Sequence, residues 1–181
     1  DKLVNTLKRF GIHGNIPAIP SLALGTYEVS VLELTKAYAI LANEGLAISP
    51  SIITKITTMD DEIIYEEKPK ETKIANQSDV YLLNEAMTSI FDNNLTYNIR
   101  PTGVPIRSLL STTYSAKSGS TDTDNWMVGY NPDIVVAVWS GYDDARNVEL
   151  SEDTKFGKFI WADSDEAYYR VTGTNPTWYK T

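Results

Sequence analysis

The chain has 181 residues, 42% of them hydrophobic, which is enough to bury the core of a single domain. Sixteen lysine and arginine residues stand against 24 aspartate and glutamate residues, so the formal net charge is -8 at pH 7. This acidic balance repels phosphate backbones and anionic lipid surfaces. We therefore expect no nucleic acid partner and no membrane contact by this segment.

The side chains present limit the chemistry that is open to the chain. It contains no cysteine and one histidine, His13, in a Gly-Ile-His-Gly stretch that is typical of a turn. Thiolate metal sites are excluded, and a Ser-His-carboxylate triad would depend on His13 alone. We expect no metal and no cofactor, and chemistry based on lysine, hydroxyl or carboxylate groups. No apolar run approaches the roughly 20 residues that span a bilayer.

The first part of the chain combines helices and loops. A short helix is predicted over residues 3–10, and residues 11–25 have the proline and glycine content of a loop. Ser30 and Glu33 form a capping box that begins a second helix. Gly45 is placed to serve as the C-cap of that helix.

A β-hairpin is predicted next. Residues 51–66 are rich in β-branched side chains and are interrupted at Asp60 and Asp61, which predicts two strands joined by a tight turn. Residues 68–73 follow as a charged connector.

A third helix and a long loop complete this part. Asn76 or Ser78 is expected to cap a helix whose apolar stripe ends near Phe91. Residues 92–110 show no regular period and contain prolines and a glycine, which predicts a surface loop.

Three strand-like runs predict an antiparallel sheet. They are residues 112–119, 126–130 and 134–142, and Asn131-Pro132-Asp133 is a turn signal between the last two. Residues 134–139 are apolar on both faces, so this strand is expected inside a sheet that helices cover on both sides.

A last helix is predicted over residues 158–170, followed by a polar tail. The predicted fold class is α+β, with an antiparallel β-sheet flanked by helices. Residues 1–110 would supply helices, loops and a hairpin, residues 111–145 the three-stranded core, and residues 146–181 the C-terminal helix and tail.

The segment Lys117-Ser118-Gly119-Ser120-Thr121 concentrates polar groups at the end of the first of these strands. By itself this composition is typical of a solvated turn. On a strand, however, Lys117 faces one way and Ser118 and Ser120 face the other. One ligand can meet both sets only along an exposed strand edge, where Gly119 permits close approach. The ammonium and hydroxyl groups suit a carboxylate, and a backbone N–H suits a developing oxyanion.

Other motifs have simpler explanations. The lysine precedes the glycine and a strand follows, unlike a phosphate-binding loop. Asp122 and Asp124 begin like a calcium loop but lack its glycine, so a turn with solvated carboxylates is expected. Asp143 and Asp144 are interpreted as a strand end rather than an acid–base pair, and Trp139 as a core residue.

Several longer motifs occur in order along the chain. They are PSLALG at residues 20–25, LTKAYA at 34–39 with NEG at 43–45, ITKI at 53–56, KSGST at 117–121, DNWMVGY at 124–130 and VWSGYDD at 138–144. This series resembles the transpeptidase domain of the class A bifunctional penicillin-binding proteins of bacterial cell-wall synthesis. The resemblance runs through most of the chain.

The resemblance implies three active-site motifs, of which this chain contains only the lysine-hydroxyl-glycine motif. No serine has lysine three residues on or asparagine two residues on. We therefore expect the C-terminal part of a transpeptidase domain, which needs an N-terminal half carrying Ser-x-x-Lys and Ser-x-Asn. The membrane anchor and glycosyltransferase module would lie outside this chain, and the site would act on the extracytoplasmic face of the membrane.

By position, the resemblance implies a role for each residue of the motif. Lys117 supplies positive potential near the substrate carboxylate and nucleophile. The hydroxyls of Ser118 and Ser120 bind the carboxylate, and the Ser120 N–H supplies half of an oxyanion hole. Gly119 allows close approach, and Thr121 lines the cleft. The implied reaction cross-links peptidoglycan stem peptides through a serine acyl-enzyme, and β-lactams mimic the substrate.

Two other interpretations of the same residues stay open. One is a non-catalytic module that holds cell-wall peptide or glycan along the strand edge. The other is a structural sheet domain whose strand has a polar end.

Overall fold

The computed structural model describes residues 1–95, 100–148 and 153–180. In chain order, the described helices and strands are α1 (Lys2–Arg9), α2 (Val31–Ala42), β1 (Leu46–Ala47), β2 (Lys55–Thr57), β3 (Ile63–Glu66), β4 (Thr72–Lys73), α3 (Gln77–Met87), β5 (Ser115–Ser120), β6 (Asp124–Tyr130), β7 (Val135–Gly141) and α4 (Asp153–Thr172). Short 3₁₀ helices occupy Pro20–Leu24, Thr88–Phe91 and Val104–Leu109.

The main sheet is antiparallel and has the strand order β5-β6-β7. Successive residues of β7 point to opposite faces. Val136 packs in the core that includes α4, whereas Val135 packs in the cluster that includes α2. Helices therefore cover both faces of the sheet, and the predicted α+β fold class is confirmed.

Trp161 of α4 is the centre of the core on one side of the sheet. It is fully buried, stacks on Phe91 with ring centroids 5.9 Å apart, and meets Tyr114 edge-on at 5.3 Å. A Cβ atom at Gly129 of β6 would lie 2.2 Å from the Trp161 ring. The indole therefore packs directly on the β6 backbone, which only glycine permits at that position.

Asn84 of α3 connects the elements on the other side of the sheet. Its side-chain N–H donates to the Leu41 carbonyl at 3.1 Å, and its side-chain oxygen accepts from the Tyr130 hydroxyl at 2.8 Å. The Ser115 hydroxyl donates to the Asn84 backbone carbonyl at 2.7 Å. The side chain and the backbone carbonyl of Asn84 together connect α2 and α3 to β5 and β6. Burial raises the pKa of the Tyr130 hydroxyl.

The local signals of the sequence are confirmed where they form turns and caps. The Ser30 hydroxyl accepts from the Glu33 N–H at 3.2 Å, and the Glu33 carboxylate accepts from the Ser30 N–H at 3.1 Å. The β2–β3 hairpin turns at Asp61, which has φ 63°. The Asn131 side chain accepts from two backbone N–H groups of the β6–β7 turn.

Two predictions near the second helix need correction. Its C-cap is Asn43 rather than Gly45, although Gly45 has φ 93° and donates to the Ile40 carbonyl at 2.7 Å. The charged connector is not wholly irregular, because Thr72–Lys73 pairs with Leu46–Ala47. This pairing joins segments far apart in sequence, so local patterns carry no sign of it.

Residues 92–110 also differ from the predicted surface loop. They include the 3₁₀ helix Val104–Leu109, and Ile106 and Leu110 are buried in the core beside Trp161. Residues 96–99 of this predicted loop lie outside the described residues. The following strand begins at Ser115 rather than at residue 112, because Thr112 lies in a bend and Thr113 has no regular secondary structure.

The expectation that residues 134–139 lie inside a sheet is wrong for the described part of the chain. There β7 is an outer strand that pairs only with β6. Its apolar pattern reflects helices on both faces, since α2 and α4 both contact β7.

The last two helices agree with their predicted positions. Asn76 is the N-cap of α3, and α4 contains the predicted span 158–170. No helix in the described ranges is long and apolar enough to cross a membrane. Of the predicted C-terminal part, residues 149–152 and 181 lie outside the described residues.

Asp165 of α4 is a buried carboxyl group whose oxygens have no hydrogen-bond partner among the described residues. Burial, with a smaller contribution from the charge of Glu166, raises its pKa to about 9. Burial, with a smaller contribution from the charge of Asp165, also raises the pKa of the Tyr114 and Tyr169 hydroxyls. The folded state therefore keeps a proton that the unfolded chain releases at about pH 4.

We predict that the free energy of unfolding falls as pH rises from about 4 to about 9, because the unfolded state binds fewer protons over this window. Asp165→Asn removes the titration, so it should raise stability at pH ~8 by more than about 1.4 kcal/mol, the equivalent of one pKa unit. Urea unfolding across this pH range measures the effect. Asp163→Asn on the exposed side of α4 is the matched control. An unchanged pH profile in Asp165→Asn would contradict the assignment.

Candidate active site

The motif at residues 117–121 lies on an outer strand of the main sheet. Strand β5 pairs with β6 on one side, and no strand of the described residues pairs with its other edge. The first two residues of β5, Ser115 and Ala116, are buried, whereas Lys117, Gly119 and Ser120 are exposed and Ser118 is half-buried. The polar half of the strand is therefore accessible along its length.

The turn between β5 and β6 determines which backbone groups point to the open edge. The Thr121 N–H donates to the Asp124 carbonyl at 2.9 Å, so these residues form a hydrogen-bonded pair. Hydrogen-bonded pairs recur at every second residue of an antiparallel ladder. Lys117 and Gly119 therefore bond to β6, while Ser118 and Ser120 direct both N–H and C=O outward.

The side chains divide between the two faces of the strand. Lys117 and Gly119 are paired with Val128 and Trp126 and share their face. Ser118 and Ser120 lie on the opposite face, as the sequence predicts. The Lys117 ammonium bends to its own strand and donates to the outward carbonyl of Ser118. A ligand along this edge would meet the ammonium on one side and two hydroxyls on the other.

The β5–β6 turn is held by hydrogen bonds of Thr121 and Asp122. The Thr121 hydroxyl accepts from the N–H groups of Thr123 and Asp124, both at 3.1 Å, and donates to the Asp124 carboxylate. The Asp122 carbonyl accepts from the N–H of buried Val148 at 2.8 Å. The Thr121 hydroxyl thus has a structural role in the turn, and its contact with substrate stays a prediction.

Asp124 corrects the expectation of solvated carboxylates in this turn. Its carboxylate accepts from the indole N–H of Trp139 at 3.1 Å and of Trp126 at 3.3 Å. Trp139 is half-buried rather than a fully buried core residue, and a Cβ at Gly141 would lie 2.7 Å from its ring. The Asp124 carboxylate therefore links the start of β6 to Trp139 near the end of β7.

Sequence reasoning missed Thr102, which the fold brings to Ser118. Their hydroxyl oxygens are 2.7 Å apart, and either can be the donor. The two residues are 16 positions apart on different elements, so no local pattern indicates the contact.

The other residues considered from the sequence, His13, Asp143 and Asp144, lie on other segments than β5. His13 is exposed in the N-terminal region, where its carbonyl accepts from the Tyr27 hydroxyl. Asp143 and Asp144 are exposed after β7, and Asp144 pairs with Arg146 at 3.7 Å. In the part of the chain that the structure describes, no group of three or more His, Asp or Glu residues is arranged to hold a metal ion.

Comparison with known proteins identifies the family. Residues 16–158 match the penicillin binding protein transpeptidase domain. Penicillin-binding protein 2D of Bacillus subtilis is 39% identical over 163 residues, which cover 90% of this chain and 24% of that protein. Penicillin-binding protein 1A of Rickettsia bellii is 33% identical and is covered over 21% of its length.

A solved structure supports the same fold. Penicillin-Binding Protein 1A from Haemophilus influenzae superposes with a TM-score of 0.81 at 20% sequence identity, covering 97% of this chain and 31% of that chain. The chain belongs to the penicillin-binding protein transpeptidase family, as its motifs predict. It spans about a quarter of the length of the first of these curated relatives, with 24% of that protein covered.

The alternation of backbone groups along β5 predicts opposite responses to proline at neighbouring positions. Gly119→Pro removes a ladder N–H and should cost about 1–3 kcal/mol of stability, because the Trp126 carbonyl loses its donor. Ser120→Pro removes an outward N–H and should change stability by much less. Urea unfolding of the two variants, with Gly119→Ala and Ser120→Ala as controls, measures the difference. Equal destabilisation by both prolines would contradict the derived pairing.

Proposed function

We propose that this chain supplies the substrate-binding edge of a serine D,D-transpeptidase that cross-links peptidoglycan stem peptides and is acylated by β-lactams. The observation that carries the proposal is the open edge of β5, where the N–H and C=O groups of Ser118 and Ser120 point outward beside Lys117. An extended peptide can pair with such an edge.

The reaction would proceed in two steps around this edge. A serine from a segment outside this chain attacks the penultimate D-Ala carbonyl, an ester forms, and the terminal D-Ala leaves with a proton on its amine. The amine of a second stem peptide then attacks the ester, forms the cross-link and returns the proton to the serine. In each step negative charge develops on the same carbonyl oxygen.

Each residue of the motif would act on a different part of the substrate. The outward N–H of Ser120 supplies one donor to the oxyanion, because it is not used in the hydrogen bonds between β5 and β6. The hydroxyls of Ser118 and Ser120 donate to the terminal carboxylate, and Lys117 adds positive potential beside it. A Cβ at Gly119 would lie 3.5 Å from the Trp126 Cβ, so space remains on that face.

The other half of the site would come from a segment that carries Ser-x-x-Lys and Ser-x-Asn, and the complete protein would act on the extracytoplasmic face of the membrane. The family and the lack of both motifs among the 181 residues support this part of the proposal. A glycosyltransferase module and a membrane anchor elsewhere in the protein belong to the same proposal. The 181-residue chain alone is expected to form no acyl-enzyme.

Acylation of the full-length protein by a fluorescent penicillin tests the proposal. Lys117→Ala should lower the acylation rate by about 10²–10³-fold, since it removes the positive potential near the substrate carboxylate and the nucleophile. Ser120→Pro should have an effect of similar size through the lost oxyanion donor, whereas Ser120→Ala keeps the N–H and should lose about tenfold or less. Lys55→Ala on the exposed hairpin is the matched control.

Three results would contradict the proposal in different ways. Unchanged labelling of Lys117→Ala would remove the role of the lysine. Equal rates in Ser120→Pro and Ser120→Ala would remove the backbone donor. Binding of stem peptide without any acylation of the full-length protein would instead support a non-catalytic wall-binding module.

A further inference from the structure

Thr102 lies against the polar half of β5. Its hydroxyl oxygen is 2.7 Å from that of Ser118, which is hydrogen-bond distance for two hydroxyl groups. Thr102 is exposed and Ser118 is half-buried, so the pair lies at the accessible edge rather than in the core. The contact joins the segment before the 3₁₀ helix Val104–Leu109 to the strand that carries the motif.

The backbone beside Thr102 is held firmly by the core. The Gly103 N–H donates to the Ile90 carbonyl at 3.0 Å, and a Cβ at Gly103 would lie 2.6 Å from the Phe91 ring. Ile106, three residues further on, is fully buried. Thr102 is therefore presented to Ser118 by packed structure, which limits the positions its hydroxyl can take.

We propose that Thr102 is a positioning residue that donates its hydroxyl hydrogen to Ser118 and so directs the Ser118 hydrogen to the ligand carboxylate. This inference rests on the proposed function, which makes Ser118 a carboxylate donor. A hydroxyl group has one hydrogen and two acceptor lone pairs. If Ser118 donated to Thr102, it would have no hydrogen left for an anion.

An anionic ligand favours the arrangement in which Thr102 donates. In the chain Thr102 to Ser118 to carboxylate, each hydroxyl is polarised by the next acceptor, so both bonds are strengthened. Without Thr102 the Ser118 hydroxyl can rotate away from the ligand. The effect of Thr102 therefore depends on a carboxylate in the ligand and on the hydroxyl of Ser118.

The test compares variants of the full-length protein for acylation by a penicillin and by its neutral methyl ester. Thr102→Val keeps the shape but removes the hydroxyl, and should lower the second-order rate with the penicillin by about twofold to tenfold, the range for one neutral hydrogen bond. Thr102→Ser keeps the hydroxyl and should retain the wild-type rate. With the ester, Thr102→Val should match the wild type. Thr113→Val, another exposed threonine, is the control.

A double-mutant cycle separates positioning from general structure. In a Ser118→Ala background, Thr102→Val should cause no further loss, because the hydroxyl that it orients is gone. Additive losses, or an equal loss with the ester, would overturn the role of Thr102. Wild-type acylation with an unaffected Thr102→Val would overturn this inference alone, whereas a wild type that is never acylated would overturn the proposed function and with it the inference.

Discussion

The hydrogen bond from the Thr121 N–H to the Asp124 carbonyl is the constraint on which the candidate site depends. It determines the register of the β5–β6 ladder, and the register decides which residues of β5 bond inward. A shift by one residue would turn the Ser118 and Ser120 backbone groups into the sheet and leave those of Lys117 and Gly119 at the edge. The chemistry of the edge is therefore a consequence of turn geometry.

The surrounding network holds this turn at three points. The Thr121 hydroxyl bonds within the turn, Asp124 accepts from the indoles of two tryptophans, and Val148 donates to the Asp122 carbonyl. At the other end of β5, the Ser115 hydroxyl is bonded to the buried Asn84. The strand is thus fixed at both ends, and the residues between them remain exposed along one edge.

Much of this arrangement follows from short-range signals in the sequence. The capping box at Ser30, the turns at Asp61 and Asn131, and the opposite facing of Lys117 and Ser118 each depend on residues within about four positions of one another. The Lys-Ser-Gly segment could therefore be placed on a strand edge, and the ordered motifs around it indicated the family.

Contacts between distant residues could not be predicted in the same way. Thr102 meets Ser118 just before the 3₁₀ helix Val104–Leu109, which packs Ile106 into the core, and that segment has no regular apolar period. Asp124 has the composition of a solvated turn, yet the pairing of Trp126 with Trp139 brings two indole donors to it. Such features depend on tertiary packing, which single-sequence patterns do not contain.

Amide hydrogen exchange along β5 of the full-length protein, before and after acylation by a β-lactam, tests the central claim most directly. The N–H groups of Ser118 and Ser120 should exchange rapidly in the free protein, while those of Lys117 and Gly119 are protected by β6. Acylation should then slow exchange at Ser120, because its N–H binds the carbonyl oxygen of the acyl group. Protection of Ser120 in the free protein, or exchange at Ser120 that acylation leaves unchanged, would contradict the account.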